Sequence, residues 1–396
     1  MIKQFNENIV YVDGSSCSAI YCFDSGKVFS INNEGTLILK KYIEGKYDLS
    51  EYEKNFVFKV QEIINIQKIE IKDYTFLEQP KINLQHTWLE VTQKCTSRCI
   101  HCYEGREHLE CDEPLSLEEW KNVIDQLVLN GCKSIQFIGG EPTLYSNINE
   151  LIEYSRKNGI EYISIFSNLY VLNDSLLYCI VKNRVSVHFS IYGSDEKCHD
   201  SITNISGSFK KLIENVSKLI EKKVELTAHI VIMKENEFDR KNIYSLLSTL
   251  KISNVRYDEI RKVWGGCQNK HLVKDSKIQL NKPNFKTNRI SFNKANYQNT
   301  CWYGKCVIST NGDVYPCEFE RNIIDGNIRE NSIYNIIQSN IVKKCWYFSF
   351  DKVRFCKDCE FRFACKDCRP LAYAEKGNLT QKNPRCKYNP YTGIWN

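Results

Sequence analysis

No stretch of about 18 consecutive apolar residues occurs in this chain, so no segment is expected to span a membrane. The first residues, Met1-Ile2-Lys3-Gln4-Phe5-Asn6-Glu7-Asn8, lack the apolar core of a secretory signal, which leads to the expectation of a cytoplasmic protein. There is no basic run, no low-complexity segment and no nucleic-acid-binding module. The formal charge of +6 is mild and suits either an acidic peptide partner or a solvated surface. Nor is a disulfide scaffold expected. Nineteen cysteines in a reducing compartment point instead to metal or cluster ligation. With 396 residues the chain has room for two or three domains with sizeable cores.

The rest of the chain is organised around Glu90-Val91-Thr92-Gln93-Lys94-Cys95-Thr96-Ser97-Arg98-Cys99-Ile100-His101-Cys102-Tyr103. Cys95, Cys99 and Cys102 stand at spacing C-x3-C-x2-C, directly after an apolar, strand-like run. Three thiolates can hold three irons of a cubane 4Fe-4S cluster and leave the fourth open, whereas four would close it and restrict it to electron transfer. An open iron can bind a small chelating molecule and deliver an electron to it. The alternative is a zinc knuckle or a group of buried cysteines, but zinc favours paired C-x2-C ligands with a second pair far away.

Residues 85–265 alternate strand and helix, with strands expected at 87–91, 134–138, 162–166, 185–189, 224–232 and 255–260. The first helix opens with the capping box Ser116-Leu117-Glu118-Glu119, buries Trp120, Val123, Ile124, Leu127 and Val128, and stops at Gly131. Ile148, Leu151 and Ile152 face inward on the next helix. The helix after Gly207 buries Phe209, Leu212, Ile213, Val216, Leu219 and Ile220. Six βα repeats imply an α/β fold with a parallel sheet, closing as a partial (β/α)6 barrel. In such a barrel function collects at the carboxyl ends of the strands. There stand the cysteine loop, Gly139-Gly140-Glu141-Pro142, Ser167-Asn168 and Ser190-Ile191-Tyr192-Gly193. The two glycines let the backbone approach a ligand closely, or form an ordinary turn. Hydroxyl and amide residues at strand ends also cap helices.

At these residues the chain resembles the radical SAM enzymes, in which the triplet carries the cluster that binds S-adenosylmethionine. The family has the same barrel. An aromatic residue precedes its third cysteine, a place taken here by His101. The resemblance implies that Gly139, Gly140 and Glu141 hold the amino group of the methionine moiety. It also implies that Ser167, Asn168 and Ser190 touch its methionine or ribose part. An aspartate is frequent in the family where Tyr192 stands.

Residues 1–84 hold short strands at 9–12, 19–23 and 27–31, turns at Gly14 and Gly26, and helical stretches at 36–43 and 57–64. Strands followed by short helices resemble the winged-helix-like leader-peptide recognition domain of peptide-modifying enzymes, which binds its peptide as an added strand on a sheet edge. A structural cap on the barrel is the alternative. Residues 266–300 are polar and read as a bridging linker, with Gly265-Gly266 at its start, Asn281-Lys282-Pro283-Asn284 within it, and Cys267 as an incidental thiol.

The tail, 301–396, is dense in cysteine. Cys301, Cys306 and Cys317 flank the hairpin turn Asn311-Gly312-Asp313, and Cys356, Cys359, Cys365, Cys368 and Cys386 follow after a gap. Eight thiols suit two closed cubanes, or two zinc ribbons. Their spacing resembles the SPASM domain, the auxiliary-cluster tail of radical SAM enzymes that act on peptides. By that resemblance Cys301, Cys306, Cys317 and Cys368 would hold the nearer auxiliary cluster, and Cys356, Cys359, Cys365 and Cys386 the outer one. The last pair is usually C-x3-C in that family, whereas Cys365 and Cys368 are separated by two residues, which makes Cys345 a substitute ligand. The stretches 356–369 and 386–395 resemble maturases of grasp-with-spasm systems, which work beside an ATP-grasp ligase on a ribosomally made peptide.

Together these residues lead to an expected enzyme with three 4Fe-4S clusters and S-adenosylmethionine. It would use a 5′-deoxyadenosyl radical to take a hydrogen from a C–H of a precursor peptide with leader and core, and form an oxidative crosslink such as a thioether. Two closed clusters suit a net oxidation, because an oxidation must dispose of electrons. A flavodoxin or ferredoxin would be the reductant. The alternatives are an anaerobic sulfatase maturase that forms formylglycine, and a non-enzymatic iron-sulfur or zinc docking protein. No lone general base stands out; His101 and His188 read as packing or loop residues rather than proton shuttles, and His101, next to the third cysteine, is a candidate cofactor-binding residue.

Overall fold

Apolar residues in both phases of a strand require two partners, one for each face, and this shapes the start of the chain. The computed structural model describes all residues except 47, 80–81, 103–112, 263–268, 274–284, 367 and 396. Tyr103, Cys267 and the turns at 265–266 and 281–284 therefore lie outside the described residues. Strands β1 (Ile2–Asn6), β2 (Ile9–Asp13), β3 (Ser18–Cys22) and β4 (Lys27–Ile31), with β5 (Lys72–Asp73), form an antiparallel sheet in the order β4-β3-β2-β1-β5. Ile9 and Tyr11 pack into one core with Ile38, Leu39 and Ile43 of α1 (Asn33–Ile43) and Val57 and Val60 of α2 (Glu51–Ile63). Asn32 caps α1, and a Ser50–Glu53 capping box opens α2. Val10, Val12 and Tyr21, one residue out of phase, pack instead against Phe292, Phe361, Phe363 and Tyr388.

Phe292 is the hub of that second face. Its ring centroid lies 4.9 Å from Tyr21, 5.3 Å from Phe23 and 4.6 Å from Phe363. The first compact unit is therefore assembled from Met1–Pro80, Ile278–Tyr303 and Trp346–Asn396. The sequence-based division, with a leading domain to 84, a linker over 266–300 and a tail from 301, separates segments that this unit combines. Burial of the sheet's second face is the reason, since its partners come from the far end of the chain.

The second unit comprises Lys81–Lys277 and Gly304–Cys345. Strands β6 (His86–Glu90), β7 (Ser134–Ile138), β8 (Tyr162–Ser167), β9 (Ser186–Ile191), β10 (Leu226–Ile232) and β11 (Val255–Glu259) are parallel and adjacent in sequence order. Between them run α3 (Leu117–Leu129), α4 (Ile148–Lys157), α5 (Asp174–Lys182), α6 (Glu196–Thr203), α7 (Ser208–Glu221) and α8 (Arg240–Thr249). This is the expected α/β arrangement of βα repeats. In the first unit, α9 (Arg289–Tyr297) carries Phe292. Beyond β6 the sheet continues with β12 (Lys305–Ile308), parallel to β6, and then antiparallel β13 (Asp313–Tyr315) and β14 (Gly326–Asn327). Gly312, at φ +90°, makes the expected hairpin turn between β12 and β13.

The Ser116–Glu119 capping box forms, and Gly131 closes the turn after α3 at φ +80°. On α7, Leu212, Val216 and Leu219 are fully buried, each stabilising the fold by roughly 1.5–3 kcal/mol. Ile220, expected inside, is exposed because it lies at the margin of the stripe in the last turn. Val128 and Phe209 are only partly buried for the same marginal position on their helices.

Candidate functional site

The cysteine loop leaves β6 and is anchored on two sides. The amides of Arg98 and Ile100 donate to the carbonyls of Thr203 (2.9 Å) and Ile202 (3.0 Å) at the end of α6. On the other side the amides of Gly140 and Glu141 donate to the carbonyls of Thr92 (2.8 Å) and Lys94 (2.7 Å). This is what the glycine pair permits. A Cβ on Gly140 would lie 2.4 Å from the Lys94 carbonyl oxygen, and one on Gly139, itself at φ +151°, would lie 2.2 Å from that of Thr92. The close approach made by these glycines is thus to the cysteine loop as well as to the cavity that both line.

Cys95, Cys99 and Cys102 line one cavity of about 860 Å³ with Gly139, Gly140 and Glu141. Burial pushes the Cys95 thiol up to about 12 and the Cys99 thiol up too, and the neighbouring thiols of the triplet add to both shifts. Thiolates desolvated this far need positive charge from a ligand, which fits an iron cluster. Among the described residues no three His, Cys, Asp or Glu side chains close around the volume of a single ion. Such a grouping is tighter than three thiolates on separate irons require.

Glu141 is buried, and burial raises its carboxyl above the ordinary range. Its Oε1 accepts from Ser167 Oγ (2.7 Å) and the Thr143 amide (3.1 Å), and its Oε2 from the Asn168 amide (2.7 Å). No cation pairs with it among the described residues, so an ammonium brought by a ligand would offset its desolvation. The hydroxyl of Ser167 is directed at this carboxylate, so Ser167 orients Glu141. Asn168 Nδ2 donates to Thr96 Oγ1 (2.9 Å) and Ser97 Oγ (3.1 Å), which ties the end of β8 to the cysteine loop, while the residue also lines the cavity.

Ser190, Tyr192 and His101 line the same cavity, and the His101 ring lies 4.7 Å from that of Tyr192. Burial lowers His101 to about 4, and its Nε2 is buried without a hydrogen-bond partner. A neutral imidazole there, tilted 57° to the Tyr192 ring, suits contact with a flat heterocycle.

Sequence reasoning overlooked the inner wall of the barrel. Trp88 Nε1 donates to Gln136 Oε1 (3.0 Å), His86 Nδ1 meets Ser134 Oγ at 2.7 Å, and His188 Nδ1 meets His229 Nε2 at 3.0 Å. Arg256 and Lys305 line this region as well. A signal was available: strands of a parallel sheet covered on both faces read as nearly continuous apolar runs, yet polar residues alternate through these.

Among the tail thiols, Cys356, Cys359, Cys365 and Cys386 all belong to the first unit. Burial raises the Cys359 thiol, with further contributions from Glu360 and then from the Cys356 and Cys386 thiols, so these three are neighbours. Cys356 and Cys365 both pack against the small core of Phe348, Phe350 and Val353. Cys301 and Cys368 also lie in the first unit, the latter at the start of a helix, whereas Cys306, Cys317 and Cys345 lie in the second. Cys317 Sγ accepts from the Phe319 amide (3.3 Å). The Cys306 Sγ lies 3.7 Å from Thr87 Oγ1, which is 3.7 Å from Cys132 Sγ. Cys345 is buried near Asp325 and Glu320.

Residues 89–247 match the family model described as the radical SAM superfamily, and residues 300–369 match the SPASM model, an iron-sulfur cluster-binding domain. An AdoMet-dependent heme synthase of Methanosarcina barkeri is 24% identical over 337 residues, covering 76% of this chain and 95% of that protein. The antilisterial bacteriocin subtilosin biosynthesis protein AlbA of Bacillus subtilis is 24% identical over 275 residues, covering 66% of this chain and 61% of that protein. The structure of Streptococcus suis SuiB bound to precursor peptide SuiA superposes with a TM-score of 0.64 at 14% identity, over 97% of this chain and all of that one. Among the described residues no helix is long and apolar enough to cross a membrane.

Proposed function

This chain is a radical SAM protein with a SPASM domain, and from that premise we propose that it modifies a ribosomally made precursor peptide by oxidative crosslinking, such as thioether formation. The observation that carries the reading is that Cys95, Cys99, Cys102 and the buried Glu141 line one cavity. The three thiols would hold a 4Fe-4S cluster, Glu141 would take the ammonium of S-adenosylmethionine, and Asn168, Ser190 and the His101–Tyr192 pair would line its remaining length. When bound, these groups supply an electron and a reactive adenosyl fragment able to remove a hydrogen from an unactivated C–H. The chain itself orients Glu141 through Ser167, Thr143 and Asn168 and holds the cysteine loop on α6.

A crosslink formed with loss of two hydrogens leaves one electron and one proton over after the first abstraction. Cys356, Cys359, Cys365 and Cys386 would hold the outer auxiliary cluster, and Cys301, Cys306, Cys317 and Cys368 the nearer one, as its acceptors. Peptide rather than another substrate is favoured by the five-stranded leading sheet with its two helices, over which a leader could dock at the sheet edge. The fold likeness to SuiB, whose structure holds a precursor peptide, spans 97% of this chain, whereas the match to the heme synthase covers 76%. A cytoplasmic reductant such as flavodoxin or ferredoxin, and an ATP-grasp ligase in the same pathway, complete the proposal.

The test is anaerobic reconstitution with S-adenosylmethionine and a candidate precursor peptide, taken from any short reading frame that adjoins the gene. Appearance of 5′-deoxyadenosine and methionine together with a peptide lighter by two hydrogens is expected. An unchanged peptide in the presence of 5′-deoxyadenosine would overturn the crosslinking reading. Conversion of a peptide cysteine to an aldehyde would favour formylglycine formation instead.

A further inference from the structure

The cavity changes character along the strands. At their carboxyl ends it is lined by the three thiols and by Glu141, Asp258, Glu259 and Glu318. From their amino ends to their middles its chargeable nitrogen groups are His86, His188, His229, Arg256 and Lys305, and among the described residues the carboxylate that follows them along β11 is Asp258, two residues beyond Arg256. Arg256 stands on β11, at one end of the parallel run, and Lys305 on β12 at the other. Lys305 lies 5.9 Å from the Trp88 ring centroid. The exposed Arg256 has no hydrogen-bond or ion-pair partner among the described residues, yet its charge lowers both His188 and His229. Burial is the larger cause and holds these rings at about 4 and about 3, so both are neutral near pH 7. Their mutual contact leaves one nitrogen on each ring for a ligand, one of them an N–H donor.

We propose that this basic stretch of the cavity wall, where His229 pairs in register with Arg256, is a carboxylate-binding subsite. An acidic group of the peptide, either an aspartate or glutamate side chain or a terminal carboxylate, is held by Arg256 together with the His188–His229 pair. A neighbouring C–H is thereby directed toward the carboxyl ends of the strands, where the thiols stand. The inference rests on the peptide-modification reading and adds the chemistry of the residue selected. A guanidinium matches a carboxylate with two parallel N–H donors, and the field of Lys305 adds attraction without requiring contact. A cationic side chain at the same place meets like charge and is rejected. The competing role for Arg256 is to guard an outer strand against pairing with another sheet edge, which would not discriminate between peptides.

The test is calorimetric titration of the anaerobically reconstituted holoenzyme, with excess S-adenosylmethionine at low ionic strength. The probes are N-acetyl-Gly-Ala-Glu-Ala-Gly amide, its Gln and Lys counterparts, and N-acetyl-Gly-Ala-Ala-Ala-Gly with a free carboxylate. The Glu or the free-carboxylate peptide is expected to bind at least about 10-fold more tightly than the Gln peptide, and whichever does so names the source of the acid. Arg256→Gln should abolish the preference and Arg256→Lys retain part of it. Equal binding of all four peptides, no binding by any of them at millimolar concentration, or a preference intact in Arg256→Gln would sink the subsite. Failure of the underlying reading looks different: a holoenzyme that yields no 5′-deoxyadenosine under reducing conditions.

Discussion

The two compact units are built by opposite routes. In the second, helices alternate with the strands of the parallel run in sequence, and β6 to β11 lie side by side in chain order. In the first, one sheet has its own helices on one face and Phe292, Phe361, Phe363 and Tyr388 on the other, from segments more than 200 residues away. The thiols follow the same contrast. Cys95, Cys99 and Cys102 share one loop, whereas Cys356, Cys359 and Cys386 come together through the fold of the tail. A local motif keeps its geometry wherever its loop is anchored, while a dispersed one depends on the whole unit.

Substituting one thiol in each group gives the largest expected effects and would break or sharpen this contrast. Cys95→Ala should reduce 5′-deoxyadenosine formation to background, measured by chromatography after anaerobic reconstitution. Cys359→Ala should leave adenosylmethionine cleavage measurable while product peptide disappears; loss of both would show that the tail also supports the first step.

Gly140→Ala should lower cleavage by about 100-fold, because its Cβ would collide with the Lys94 carbonyl and displace the cysteine loop by a fraction of its own width. Cleavage at the wild-type rate would show that the loop is positioned independently of the glycine pair.

Phe292→Ala removes the hub of the first unit and should destabilise it by roughly 3–5 kcal/mol. Hydrogen exchange should then quicken together in residues 1–80 and 346–395, and much less in β6 to β11. Leu212→Ala should do the reverse at a cost of roughly 2–5 kcal/mol.

The smallest effect is a pH dependence confined to one unit. All seven histidines fall within residues 81–277. Burial is the leading cause that lowers His86, His188 and His199 to about 4 and His229 to about 3. These rings are neutral when folded but take up protons near pH 6.5 when unfolded. Their contribution to stability is therefore full above about pH 6.5 and is lost as the pH falls toward 4. Lowering the pH from about 7.5 to 5.5 should weaken exchange protection in the second unit and spare the first. His199→Gln should reduce the difference.

Much of the candidate site could be read from sequence because it lies at strand ends that periodicity locates. Glu141 follows β7, and it lines the cavity together with Asn168 and Ser190. The direction of the Ser167 hydroxyl is not legible from its place at a strand end; in the structure it is turned toward Glu141. The Cys306 thiol sits beside Thr87, the residue opposite it on β6.

The sequence alone determined the βα repeats and the thiol triplet, since helix and strand periods and a three-cysteine loop are local properties of the chain. Only the tertiary structure decided that the leading sheet and the tail share one core, and that His188, His229 and Arg256 line one cavity. Both depend on which face of a strand is covered by which distant partner, and a sequence records the faces without recording the partners.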